Sequence, residues 1–332
     1  MKKCLLIAVL FFFILKDLAA QAFQSRHFTI TKLSDGVYAA IANNGGYAVC
    51  NAGIIDLGDA TLIFDPFMGL EPARELARVA GQLLEHPIKY VINSHFHNDH
   101  IGGDQIFGGA MLISTDRTRD LIAKYQPQEI EDDKKLAAGM VANLKKKDVH
   151  AMTRHELDEH FMWLGYYEAL AMSGDSLKLI LPQITFNNQL TLHGTKRRVQ
   201  LISYGEGHTE SDAFLFLPDE KIAFLGDLLF IQNNPWLGDG DPEHWSNYLD
   251  SIKKLNPVIL IPGHGPPGNI SSLDTMNMYF AAVKKEADSY YRRGAKPEAD
   301  STFKIPSPYD QWFLSNFFKP NVEWMYEHWK KN

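Results

Sequence analysis

The chain has 332 residues, 45% of them hydrophobic and 22% charged, which excludes a disordered chain, a fibrous repeat and a polytopic membrane protein. Lys plus Arg number 33 against 40 Asp plus Glu, a net charge of −7, and the densest basic clusters, 145–147 and 196–198, are short. With no basic stripe to meet phosphates, nucleic acid is not an expected partner.

Residues 1–22 begin with Met1-Lys2-Lys3, continue through an apolar run over 4–15 and end among Ala19, Ala20 and Ala22. That is the layout of a secretory signal peptide, too short to span a bilayer comfortably. The expectation is an exported protein, periplasmic or extracellular, with its working domain over 23–332 and no stable membrane insertion after cleavage. Cys4 leaves with this segment, so Cys50 stands alone and no internal disulfide is expected.

Short β-rich runs separated by turn residues follow over 28–33, 37–41, 53–57 and 61–64. A helix is expected over 71–84, where Leu76, Val79, Ala80 and Leu83 recur at helical spacing, then strands over 88–92 and 111–114. The stretch 116–173 is charged and rich in Ala, Leu, Lys and Glu; it reads as an insertion of several helices that could cover a cleft. Strands resume over 190–192, 199–203, 213–217, 222–225 and 258–261, with helices over 242–255 and 273–292. An aromatic tail over 308–332 reads as hydrophobic packing.

Thirteen histidines are ordinary in number but not in placement. Directly after the strand over 88–92 comes Ser94-His95-Phe96-His97-Asn98-Asp99-His100. In an extended segment His95 and His97 project to one side, while Asp99 and His100 leave in another direction and can serve a second ion nearby. Further ligands must arrive on loops after other strands. His208 in Gly207-His208-Thr209, Asp227 in Gly226-Asp227 and His264 in Gly263-His264-Gly265 each follow one, flanked by glycines that would let backbone approach an ion. Trp236 and Trp245 are candidate apolar walls, and His244 is the remaining histidine nearest this context.

Taken in order with Asp65, these residues resemble the metallo-β-lactamase superfamily. The resemblance implies an α+β fold, an αββα sandwich of two face-to-face sheets with helices outside and metals at one edge. It implies that His95, His97 and His208 hold one ion, that Asp99, His100 and His264 hold the other, and that Asp227 bridges both. Two Zn2+ suit a nitrogen and oxygen donor set without thiolate, with iron or manganese compatible. Asp65, Thr209 and Asp212 would orient the ligands by hydrogen bonds. Zinc β-lactamases carry a cysteine or serine where this chain has Asp227; thioesterases and lactonases of the family carry aspartate. The activity the resemblance implies is hydrolysis of a small-molecule substrate, an ester, thioester, lactone or lactam, by a metal-bridging hydroxide, with Asp99 orienting it and passing its proton to the leaving group. The alternatives on the same scaffold are a β-lactamase proper, a mononuclear iron thiol or persulfide dioxygenase, and a non-catalytic metal-binding protein.

Overall fold

A computed structural model describes residues 25–329, so the expected signal peptide over 1–22 and the end of the tail, 330–332, lie outside the described residues. Turn residues divide the first stretch into β1 (Phe28–Ser34), β2 (Val37–Ala42), β3 (Ala52–Asp56) and β4 (Thr61–Phe64), an antiparallel meander. The chain then crosses through α1 (Leu70–Leu83) to β5 (Ile88–Ile92), parallel to β4, and makes a single helical turn, α2 (Asn98–Ile101). β6 (Met111–Thr115) and β7 (Ile184–Phe186) complete a seven-stranded sheet in chain order. The second sheet has five strands in the order β12-β11-β10-β9-β8: β8 (Gln189–His193), β9 (Arg198–Gly205), β10 (Asp212–Leu217), β11 (Ile222–Phe224) and β12 (Ile259–Ile261).

Period-two alternation assigns each strand residue to a layer. Ile55, Leu62 and Phe64 point between the sheets toward Leu201, Leu215 and Phe224, and the Phe64 and Phe224 rings lie 6.0 Å apart. Their neighbours Ile54 and Ile63 point outward and pack with Leu76, Val79 and Ala80 of α1. Phe214 and Phe216 turn outward on the other side, into the cluster that holds Trp245 and Leu249 as well as Tyr279 and Phe280. The layers are therefore helix, sheet, sheet, helix, the expected αββα sandwich.

The stretch 116–173 is strandless, as its composition predicts: it folds into α3 (Asp116–Lys145) and α4 (Arg154–Ser173). Thr115 caps α3 by accepting from the Thr118 amide, and Thr153 and Glu156 form a capping box at the start of α4. The outer helices of the second sheet are α5 (Pro242–Lys254) and α6 (Ile270–Arg293). Three elements were not legible, the first being the one-turn α2, where the sequence reads as extended. β7 has three residues, too few for alternation to register, and exists because β6 offers it an edge. The tail forms α7 (Phe318–Trp329), whose Phe318, Val322, Met325 and Tyr326 are buried at helical spacing. Pro320 lies in its first turn, where a missing N–H breaks no intrahelical bond. No helix among the described residues is long and apolar enough to cross a membrane.

β9 and β11 both run antiparallel to β10, and β11 runs parallel to β12, so β9, β11 and β12 end at the same edge of their sheet. β4 and β5 end together in the other sheet. The Ala213 amide donates to the Ser94 carbonyl at 2.8 Å, tying the loop after β5 to the second sheet at that edge.

Candidate metal centre

Each of these strand ends delivers one part of a single constellation. β5 runs through Asn93 and Ser94 into His95 and His97, and α2 carries Asp99 and His100; His208, Asp227 and His264 follow β9, β11 and β12. His95, His97, His208 and Asp227 place ligand atoms within 4.8 Å of one another, and so do Asp99, His100 and His264. Asp227 lies between the two groups. Its Oδ2 is 3.4 Å from His208 Nε2 and 3.9 Å from His95 Nε2, while its Oδ1 is 3.0 Å from His100 Nε2 and 3.4 Å from His264 Nε2. Asp99 Oδ2 closes the second group at 3.2 Å from His264 Nε2. All seven residues singled out in the sequence meet at this edge.

The hydrogen bonds behind the rings fix which nitrogens face inward. Ser94 Oγ donates to Asp65 Oδ2 at 2.7 Å, so it must accept from His95 Nδ1, 2.9 Å away. His95 Nε2 is then left with a lone pair. His100 Nδ1 donates to Asp65 Oδ2 at 2.8 Å, and His97 Nε2 donates to Asp239 Oδ2 at 3.2 Å, which points His97 Nδ1 inward, 3.1 Å from His208 Nε2. Buried His95 Nε2, His100 Nε2 and Asp227 Oδ1 have no hydrogen-bond partner. Buried polar atoms are rarely left so, and a cation between them would satisfy all three once His100 gives up its Nε2 proton.

The electrostatics differ from ring to ring: burial opposes a charge on His97, but its bond to Asp239 raises it above the ordinary imidazole value, unlike its two partners in the first group. Burial pushes His208 down to about 3 and His95 well below the ordinary imidazole range, so both rings are neutral near pH 7. Burial also opposes a charge on His264 and His100, but the surrounding acids win: Asp227 and Asp99 hold His264 at about 9, and Cys50, Asp227, Asp99 and Asp65 raise His100 well above its usual value. Burial would raise Asp227, yet His264 and His100 pull it well below the usual carboxylate range.

Asp65 is where the resemblance places it, and its role is specific. It accepts from the Ser94 amide, the Ser94 hydroxyl and His100 while held at φ 48°, a left-handed conformation that non-glycine residues seldom adopt. Thr209 and Asp212 bond to each other, with Thr209 N to Asp212 Oδ2 at 2.9 Å, and so fix the loop that carries His208. Trp236 lines the cleft, whereas Trp245 is fully buried behind His208, with ring centroids 5.2 Å apart. His244 lies on the surface beside Glu206 and belongs to neither group. A third cluster of His27, Glu71 and Glu75 does not fit a metal: His27 Nδ1 accepts from the Tyr47 amide, so Nε2 keeps its proton and faces Glu71.

Sequence reasoning missed Asp239 and Ser94. Asp239 sits in a Gly-Asp-Gly-Asp run that reads as a turn, and its contact with His97 spans 142 positions. Trp236 Nε1 donates to the same carboxylate at 3.0 Å and holds it in place. Asp239→Ala should lower metal affinity about 10- to 100-fold with little loss of fold, measured by competition with a chromophoric chelator.

The centre opens into a cleft of about 1030 Å³, with α3, α4, the Trp236–Asp239 loop and the segment around Phe313–Phe317 contributing to its lining. The helical insertion therefore forms part of the cleft wall.

A sequence model described as the Metallo-beta-lactamase superfamily matches residues 45–110 and 138–264, and the gap between them contains most of α3. A linear primary-alkylsulfatase from a Pseudomonas species is 22% identical over 231 residues, which cover 64% of this chain but only 41% of that protein. A metallo-beta-lactamase type 2 from Pseudomonas aeruginosa is 24% identical over 280 residues, 82% of this chain and 90% of the relative. The solved metallo-beta-lactamase from Pontibacter korlensis superposes with a TM-score of 0.55 at 19% identity, covering 76% of this chain and 99% of that one, a likeness of fold. With its family motifs gathered at one sheet edge and more than half its length matched, the chain belongs to the metallo-β-lactamase superfamily.

Proposed function

We propose that this protein is a dinuclear metal-dependent hydrolase acting on an ester, thioester, lactone or lactam. The observation that carries the reading is Asp227, whose two oxygens face two separate donor groups. His95, His97 and His208 would hold one ion, Asp99, His100 and His264 the other, and Asp227 both. Zinc suits these donors, with iron or manganese compatible. When bound, divalent ions of this kind polarise a substrate carbonyl and lower the pKa of water toward neutrality. The protein's own part is to aim the donors through Asp65, Ser94 and Asp239, and to narrow solvent access with the helical insertion. Asp99 lines the cleft and takes the proton of the attacking water on its carboxylate, returning it to the leaving group.

The two halves should fill differently. In the first half His95 and His208 are already neutral and only His97, raised by Asp239, can hold a proton to displace, whereas in the second both His264 and His100 keep protons that an incoming ion must displace. Below about pH 9 the affinity of the Asp99, His100 and His264 half should therefore rise with pH, by about tenfold per unit for each proton displaced. Isothermal titration in buffers of different ionisation enthalpy counts those protons. Metal quantification on purified protein, with a panel of aryl ester, thioester, acyl-lactone and β-lactam, tests the reading as a whole. One ion or none per chain, or no turnover anywhere in the panel with two ions bound, would sink it.

A further inference from the structure

The cleft above the metal centre is lined by carboxylates and aromatic rings. Glu129 and Asp133, one turn apart on α3, line it with Asp132, and Glu210 and Asp239 add two more acids. Burial lifts Glu129 to about 7 against the pull of the His97 charge, and raises Asp133 against the Asn98 amide, so neither carboxylate is fully compensated. Their bonds are to neutral amides, Gln126 to Glu129 and Asn98 to Asp133. The aromatic part links three regions of the chain: Phe317 lies 6.0 Å from Trp163 of α4 and 5.6 Å from Trp236. Among the described residues, no lysine or arginine lines the cleft. The basic groups nearest its lining residues, Arg117 on Glu210, Lys135 on Asp132 and Lys124 over the Tyr125 ring, lie outside that lining.

A molecule with its reacting group at the metal centre must lay its other end among these acids and rings. An anionic end would meet like charge from the carboxylates, while the Arg117 and Lys135 cations beside them lie outside the lining and are already paired with Glu210 and Asp132. A cationic apolar end would gain from the carboxylates and from the ring faces together. We propose that the cleft selects substrates whose non-reacting end is an apolar group bearing a positive charge, an alkyl- or arylammonium, and rejects those anionic at that end. As a statement about substrates this rests on the hydrolase reading; as a statement about what the cleft binds, it rests on the lining alone.

Trp163 and Trp236 allow binding to be followed by tryptophan fluorescence without turnover. Metal-loaded protein is titrated with phenyltrimethylammonium, its uncharged isostere tert-butylbenzene, and benzenesulfonate. The quaternary ion should bind at least about tenfold more tightly than the sulfonate, a margin that shrinks as salt approaches about 1 M. The Asp132→Asn/Asp133→Asn double variant should narrow the margin several-fold, and Asp132→Asn alone, at an exposed position, should move it in the same direction. Equal or tighter binding of benzenesulfonate overturns the proposal, and so does the absence of binding by all three. In parallel, kcat/KM is measured on the 4-nitrophenyl esters of 4-(trimethylammonio)butyrate, 5,5-dimethylhexanoate and glutarate. The binding order without turnover of any ester removes the hydrolase reading and upholds the selectivity; turnover that favours the glutarate ester does the reverse.

Discussion

Asp227→Asn should cost the protein metal in both halves of the site and roughly a thousandfold or more in turnover, while leaving it folded. The wild-type carboxylate presents one oxygen to His208 and His95 and the other to His100 and His264. An amide has one acceptor oxygen and no charge, so it can serve one group only, and its NH2 faces the other. The fold should survive because the neighbouring histidines have an alternative. His100 and His264 keep their protons because of the acids around them, and with Asp227 neutral they can shed them instead of standing charged and less well paired. Metal counting per chain, circular dichroism and kcat on the best substrate separate these outcomes. Two ions retained at full occupancy would mean that Asp227 does not bridge.

The same residues explain what was readable beforehand. Asp227 and its six companions were visible because strand-end loops with Gly, His and Asp recur in order along the chain, and strand ends at one sheet edge converge. The strands and helices were visible in the residue patterns, but their stacking as an αββα sandwich came from the family resemblance; in the structure Ile54 and Ile55 face opposite buried layers, as that stacking requires. Asp239 was not, because its function is a contact with His97 made only when the loop after β11 folds back over the loop after β5. Ser94 lies next to His95 in sequence, but its relay to Asp65 depends on Asp65 being turned to φ 48°. The tail shows both outcomes: Tyr309, Trp312 and Phe318 pack around Tyr279 as expected, whereas Phe313, Leu314 and Phe317 line the cleft. Aromatic content alone does not distinguish the two surroundings.

Gly263→Ala should reproduce much of the Asp227 defect without altering any proposed ligand. The sequence suggests that glycines flank these residues so that backbone can approach an ion; at Gly263 the close neighbour is the carboxylate itself. A methyl group there would lie 1.9 Å from Asp227 Oδ1 and 2.8 Å from the Gly226 carbonyl carbon. The backbone has little room to yield. The Gly263 amide donates to the Gly226 carbonyl at 2.6 Å and approaches that of Leu229 at 3.1 Å, and its own carbonyl accepts from the Asn51 amide at 2.8 Å. Asn51 Nδ2 also donates to the carbonyls of Pro262 and Gly265, fixing both sides of His264. The side chain of Asp227 is therefore what must turn away, and overpacking of this kind costs about 1–3 kcal/mol of stability besides. Gly81→Ala in α1, where an added methyl meets nothing within 4 Å, is the matched control and should stabilise by about 0.5–1 kcal/mol. Thermal unfolding with metal content measured on both variants tests the pair. If Gly263→Ala keeps full metal and turnover, the carboxylate has more freedom than its contacts imply, and the rigidity argued for the bridge is wrong.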